Sequence, residues 1–308
     1  MDKDQIKKTI TDTFLNRFDE ISPQIQAHFM TRLYRVTGEE VYKSWVINNI
    51  PLKLKRLEGL IEISHNFEEI LKYSNEELSK FKILKPNDVK KSELMHQYPQ
   101  VYFYDDLLAA LAYLKGVGVN IEEYGIEKLR PQIKEYLPVL LNPEILRYVT
   151  VRDINAIYWI KDIFGINESA KLIENFLQIF KNTDSKEISF TNFIYGYTHI
   201  IISSSLYYQQ FVENSTIDWI KDELILNMDK ILASCTPDII AEVGLCLKLM
   251  KYYDVEIFEK ITNKIISSFD MSLGLIPYEN QTKSLGTLEH RNIIAVMFLT
   301  DFNKLSIF

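Results

Sequence analysis

The chain of 308 residues carries 42 Asp and Glu against 35 Lys and Arg, a formal net charge of −7. It has no dominant basic stripe, which argues against nucleic acid as a partner, and its longest apolar runs are too short or too polar to span a bilayer. Hydrophobic residues make up 47%, with only 10 Gly and 9 Pro: ample material for a core, and too few turn-formers for a sandwich or barrel.

Helical spacing dominates from the start. Ile6, Ile10, Phe14 and Phe18 recur at i, i+4 and predict one apolar stripe. Pro23 opens a second helix with Ser22 as its N-cap. A third covers 41–50 and is disturbed at Pro51. The run Lys53-Leu54-Lys55-Arg56 reads as a solvated helix face. Further helices are expected at 67–73 and 75–81, and 85–99 as an extended loop or short helix. These first hundred residues read as a helical region packing onto a repeat domain that fills the rest of the chain.

From residue 101 to 308 the pattern is regular. An apolar helix at 107–114 ends at Gly116 and Gly118, and 121–136 returns. Thr150-Val151-Arg152-Asp153 resembles a capping box starting 154–164, which Gly165 ends, and 168–180 returns. Next come 190–211 and its partner 218–232. Thr236-Pro237-Asp238 combines an N-cap, an N1 proline and an early acid, and 256–269 returns from that helix. Residues 274–277 form a turn, and Thr287 caps a last helix at 289–299.

The apolar helices share a polar lead-in. One polar residue from each (Asp106, Asp153, His199, Glu242, His290) gives steps of 47, 46, 43 and 48 residues. Such a period fits a helical hairpin with its loops. The lead-in helices hold small residues, among them Ala109, Ala110, Ser203, Ser204, Ala241 and Gly244, as an inner layer would; their partners are more charged on one face. The expected fold is all-α, a curved array or closed ring of helical hairpins with inner and outer layers.

His199 sits with Thr198 in an otherwise apolar helix, and Glu242 is flanked by apolar and small residues. Ionisable groups in such settings need partners. Gly244 beside Glu242 fits either close packing or ligand access. Glu289-His290-Arg291-Asn292 is the densest polar cluster. The plainer readings are a core histidine, a structural salt bridge and helix-capping residues. Repetition, however, would bring these positions to one mouth. There His199, Glu242, Glu289 and His290 would form an acid–base set, with Arg291 anchoring an anion. Tyr104, Asp105, Asp106, Asp153 and Trp159, with Tyr158, would line the same mouth, where paired carboxylates beside aromatics suit glycoside hydrolysis. A divalent metal at His199, Glu242 and His290 is the alternative; no other cofactor is expected. Cys235 and Cys246 match no metal or redox spacing and read as buried thiols. Met1 to Gln5 lack a signal-peptide core, so a cytoplasmic protein is expected, with a trimmed secreted or host-delivered form left open.

Over about residues 100–308 the period, the small-residue helices and their polar starts resemble α/α-toroid proteins. These include six-hairpin glycosidases, terpenoid cyclases and lanthionine synthetase cyclase domains. Tyr197-Thr198-His199, Glu242-Val243-Gly244 and Glu289-His290-Arg291-Asn292 are similar to the marks of an uncharacterised bacterial family of that shape. The resemblance implies a ring of helical hairpins with a site at one end. It does not imply the cyclases' zinc, for want of a Cys-Cys-His set, nor an Asp-rich motif, since Tyr104-Asp105-Asp106 is too short. A small polar ligand or a peptide is the expected partner, and a non-catalytic scaffold binding protein or peptide on a concave face is the alternative.

Overall fold

Caps written in the sequence start several of the helices. Asp2 accepts from the Gln5 amide at 2.9 Å while Gln5 reaches back to the Asp2 amide, a complete capping box. Asn66, Asn142 and Asp254 likewise bond first-turn amides. Gly38 and Gly165 end their helices at φ of 70° and 66°, where a side chain would be strained.

The computed structural model describes residues 2–80, 86–182, 190–278 and 284–308. In chain order the helices are α1 (Lys3–Asn16), α2 (Pro23–Thr37), α3 (Glu40–Ser64), α4 (Phe67–Ser79), α5 (Pro86–Gln97), α6 (Gln100–Gly116), α7 (Arg130–Leu140), α8 (Pro143–Val149), α9 (Val151–Phe164), α10 (Ser169–Asn182), α11 (Phe190–Ser204), α12 (Asp218–Leu226), α13 (Met228–Ser234), α14 (Pro237–Leu249), α15 (Val255–Ser267) and α16 (Leu285–Leu299). Among the described residues there is no strand, only an isolated bridge between Asp270 and Leu275. The all-α expectation is borne out. No described helix is long and apolar enough to cross a membrane.

The chain divides into two compact units, Met1–Asn49 with Ser204–Phe308, and Ile50–Ser203. The division falls inside α3 and at the last residue of α11. In the first unit α16 packs against α1, α2 and α14, and α14 against α15. All of 239–249 in α14, and nearly all of α16, are buried, whereas α15 buries only Ile261 and Ile265. In the second unit α6 packs on α4 and α9, and α9 also meets α7, α8 and α10. In the first unit the enclosed α14 and α16 thus stand with a one-sided α15.

Several boundaries move. Pro51 does not end a helix, since α3 runs through it. The pieces expected at 67–73 and 75–81 are one helix, α4; Phe81 and Lys85 lie outside the described residues. The stretch expected as a loop or short helix from 85 holds α5. The helix expected to reach 211 stops at Ser204, because Leu206, Tyr207 and Tyr208 have φ of 52°, 57° and 67°. The start expected at 289 lies a turn earlier, with Ser284 as N-cap. At 150–153 the capping box does not form. Thr150 closes α8 and opens α9 at once, and its hydroxyl donates back to the Leu146 carbonyl at 2.8 Å.

Candidate functional sites in the two units

In the first unit three buried helices present polar groups to one another. Glu289 and His290 lie in the second turn of α16, Glu242 in the second turn of α14, and His28 midway along α2. His28 Nδ1 is 2.7 Å from Glu289 Oε1. An ionised carboxylate can only accept, so the imidazole N–H donates. The carboxylate is nearly enclosed (5% exposed), while 32% of the His28 side chain reaches solvent. The His290 ring is centred 6.0 Å from that of His28. Its Nε2 stands 4.0 Å from Glu242 Oε1, too far for a hydrogen bond. Burial pushes His290 down to about 4, with the nearby His28 and the Arg32 charge adding to the effect, so this second ring is neutral near pH 7.

Tyr208 closes this group from the left-handed turn after α11. Its amide donates to Ser205 Oγ at 2.9 Å, and its ring lies 5.7 Å from the Arg32 guanidinium. Burial lifts its phenol far above the usual range; Arg32 opposes that shift and Glu242 adds to it. Arg291 is fully engaged. Nε and Nη2 donate to Asp238 Oδ1 at 3.1 and 2.9 Å, Nη1 donates to the Pro277 carbonyl at 2.7 Å, and the guanidinium lies 3.8 Å from the centre of the Tyr278 ring. Asn292 holds the Ile276 amide and carbonyl. Together they fasten residues 276–278 to α16, so all three Arg291 nitrogens already have partners within the protein, where an anion anchor was expected.

The glycine two residues after Glu242 resolves in favour of close packing. A Cβ on Gly244 would come within 2.4 Å of the buried Phe298 ring, so the space is filled by that ring.

The second unit carries a separate polar cluster. Asp105 lies in the second turn of α6 and Asp153 in the first turn of α9, not before their helices. Asp153 is fully buried, and neither carboxylate oxygen has a hydrogen-bond partner among the described residues. Burial raises it well above the ordinary carboxylate range, and the Asp105 charge adds to this. Asp105 accepts the Arg152 guanidinium at 3.2 Å, yet burial still lifts it to about 6. Tyr136 stacks on Tyr104 with centroids 4.4 Å apart. Asp106 points elsewhere, to Arg56 at 3.0 Å and Tyr73 at 2.5 Å. His199 meets Asn155 Oδ1 through Nδ1 at 3.0 Å, and the Tyr195 ring edge-on at 4.7 Å. Trp159 is half-buried on α9.

Of the expected acid–base set, Glu242, Glu289 and His290 fall in the first unit and His199 in the second. Among the described residues no group of three or more His, Cys, Asp and Glu side chains is placed to hold a metal ion. His28 and Arg32 carried no repeat signal, since α2 precedes the regular pattern. Their trace was local: two polar residues at i, i+4 beside the apolar stripe of Ala27, Met30, Leu33 and Val36.

What fold and site define is an all-α protein with histidines backed by buried carboxylates. The chain belongs to the family described as Domain of unknown function (DUF3541), whose profile matches residues 3–306 and so covers both units. No curated protein and no solved structure matches it.

Proposed function

We propose that this protein is an acid–base enzyme whose reacting pair is His28 and Glu289, carrying out hydrolysis or lyase-type elimination on a polar, carbohydrate- or peptide-like substrate. The observation that supports it is the 2.7 Å bond between a partly exposed imidazole and an enclosed carboxylate. In that arrangement the carboxylate fixes the ring and its tautomer, and Nε2 of His28 would be the atom that takes or delivers a proton. His290, neutral and also partly exposed, offers a second imidazole next to the first. The arrangement of helical hairpins as a ring is part of the same proposal; its support is the contrast between the enclosed α14 and the one-sided α15.

The test is turnover of a panel of chromogenic glycosides, uronides, esters and peptides by wild type, His28→Gln and Glu289→Gln. Loss of an acid–base group lowers turnover by about 10²–10⁴-fold. That loss is expected in both variants, with melting temperatures near that of wild type. Equal turnover by all three proteins overturns the assignment. No turnover of any substrate also counts against it, and favours the scaffold alternative.

A further inference from the structure

The chain has eight arginines, and seven have a carboxylate or carbonyl acceptor. Arg17 bonds Glu20, Arg56 bonds Asp106, and Arg130 and Arg147 pair with Glu127 and Glu144. Arg152 pairs with Asp105, Arg291 with Asp238, and Arg35 donates to the Ser306 carbonyl. Arg32 stands apart. Among the described residues it has no ion pair and no hydrogen bond, and its Nε is buried without an acceptor. Its guanidinium lies over the face of the Tyr208 ring, 5.7 Å from the ring centre.

The place of that unpaired guanidinium matters. Arg32 comes four residues after His28 on α2, so the two side chains share a helix face. We propose that Arg32 makes the His28–Glu289 site a receptor for an anionic group, so that its substrate carries a carboxylate or a phosphate. This deepens the enzyme reading and rests on it. A guanidinium presents a planar fork that matches two oxygens of either anion, and leaving Nε buried and unmade is unfavourable until such an acceptor arrives.

The nearby carboxylates do not cancel this. Glu289 is engaged by His28, and Glu242 lies behind His290 with 2% of its side chain exposed. At His290 the influence of the Arg32 charge outranks that of Glu289 and that of Asp238. Arg291, the residue the sequence offered for this role, is already held by Asp238 and Pro277. Tyr208, set on its left-handed turn, lies against the Arg32 guanidinium, whose charge also acts on His290.

The experiment is titration of the full chain at constant ionic strength with inorganic phosphate, with D-glucuronate and with neutral glucose. Wild type is expected to bind phosphate or glucuronate saturably and glucose not at all; the arm that binds tells phosphate from carboxylate. Arg32→Gln should weaken binding by about tenfold or more, as loss of a charge-assisted pair does. Arg32→Lys, which keeps the charge but loses the fork, should fall between the two and guards against misfolding as the cause. Glu289→Gln should bind the anion at least as tightly as wild type does while losing turnover, so that failure of the catalytic pair and failure of the anion site give different results. No saturable anion binding by wild type, or undiminished binding by Arg32→Gln, overturns the proposal.

Discussion

At the scale of single residues, buried charge decides most of what is distinctive. Asp105 and Asp153 are lifted by burial, so the folded state holds their protons more tightly than the unfolded chain does. The contribution of Asp105 is therefore present below the unfolded value of about 4 and is lost as pH rises through about 6. Urea denaturation from pH 4 to 7 should show wild type losing stability relative to Asp105→Asn across that window; a difference that is flat with pH contradicts this. Asp153→Asn should melt higher than wild type at pH 7, since it removes an enclosed carboxyl with no hydrogen-bond partner that must take up a proton to be buried. Gly244→Ala drives a Cβ into Phe298 and should destabilise by about 1–3 kcal/mol. A neutral result there would mean that α14 and α16 separate easily.

At the scale of elements, periodicity made the helices legible and capping residues misplaced their ends. Spacing alone marked the enclosed character of α14 and α16. Thr287 and Thr150 carry the chemistry of N-caps, but neither side chain caps the helix it precedes or enters, because Ser284 starts α16 earlier and Thr150 must also end α8. Hence Glu289 and Asp153 looked like solvated capping acids and are enclosed instead. The left-handed turn at Leu206-Tyr207-Tyr208 had no glycine to announce it. Such conformations disfavour side chains by roughly 1–2 kcal/mol per residue. Glycine in an ordinary helix costs about 1 kcal/mol, yet Leu206→Gly should leave the melting temperature unchanged or raise it. A clear drop would show that the turn is not strained.

At the scale of the whole molecule, the first unit joins both ends of the chain. Glu289 and His28 are 261 residues apart, and α2 also holds the last residues through Arg35 with Ser306 and Tyr34 with Ile307. No local pattern encodes a pairing at that separation, which is why nothing in the sequence singled out His28 and Arg32, whereas the polar groups within the apolar helices drew attention to Glu242, Glu289 and His290. The second unit is continuous in sequence. Residues 50–203 expressed alone should retain helical circular dichroism and a cooperative melt, whereas 1–49 should fold only when mixed with 204–308. A fragment 50–203 without cooperative unfolding contradicts that division.

The pair of His28 and Glu289 carries the account, and imidazole nitrogen NMR reads it directly. In wild type at neutral pH, His28 Nδ1 should be protonated with a low-field proton, and Glu289→Gln should remove that signal. His290 should remain neutral down to about pH 4. A His28 ring protonated only on Nε2, with the same spectrum in both proteins, would contradict it.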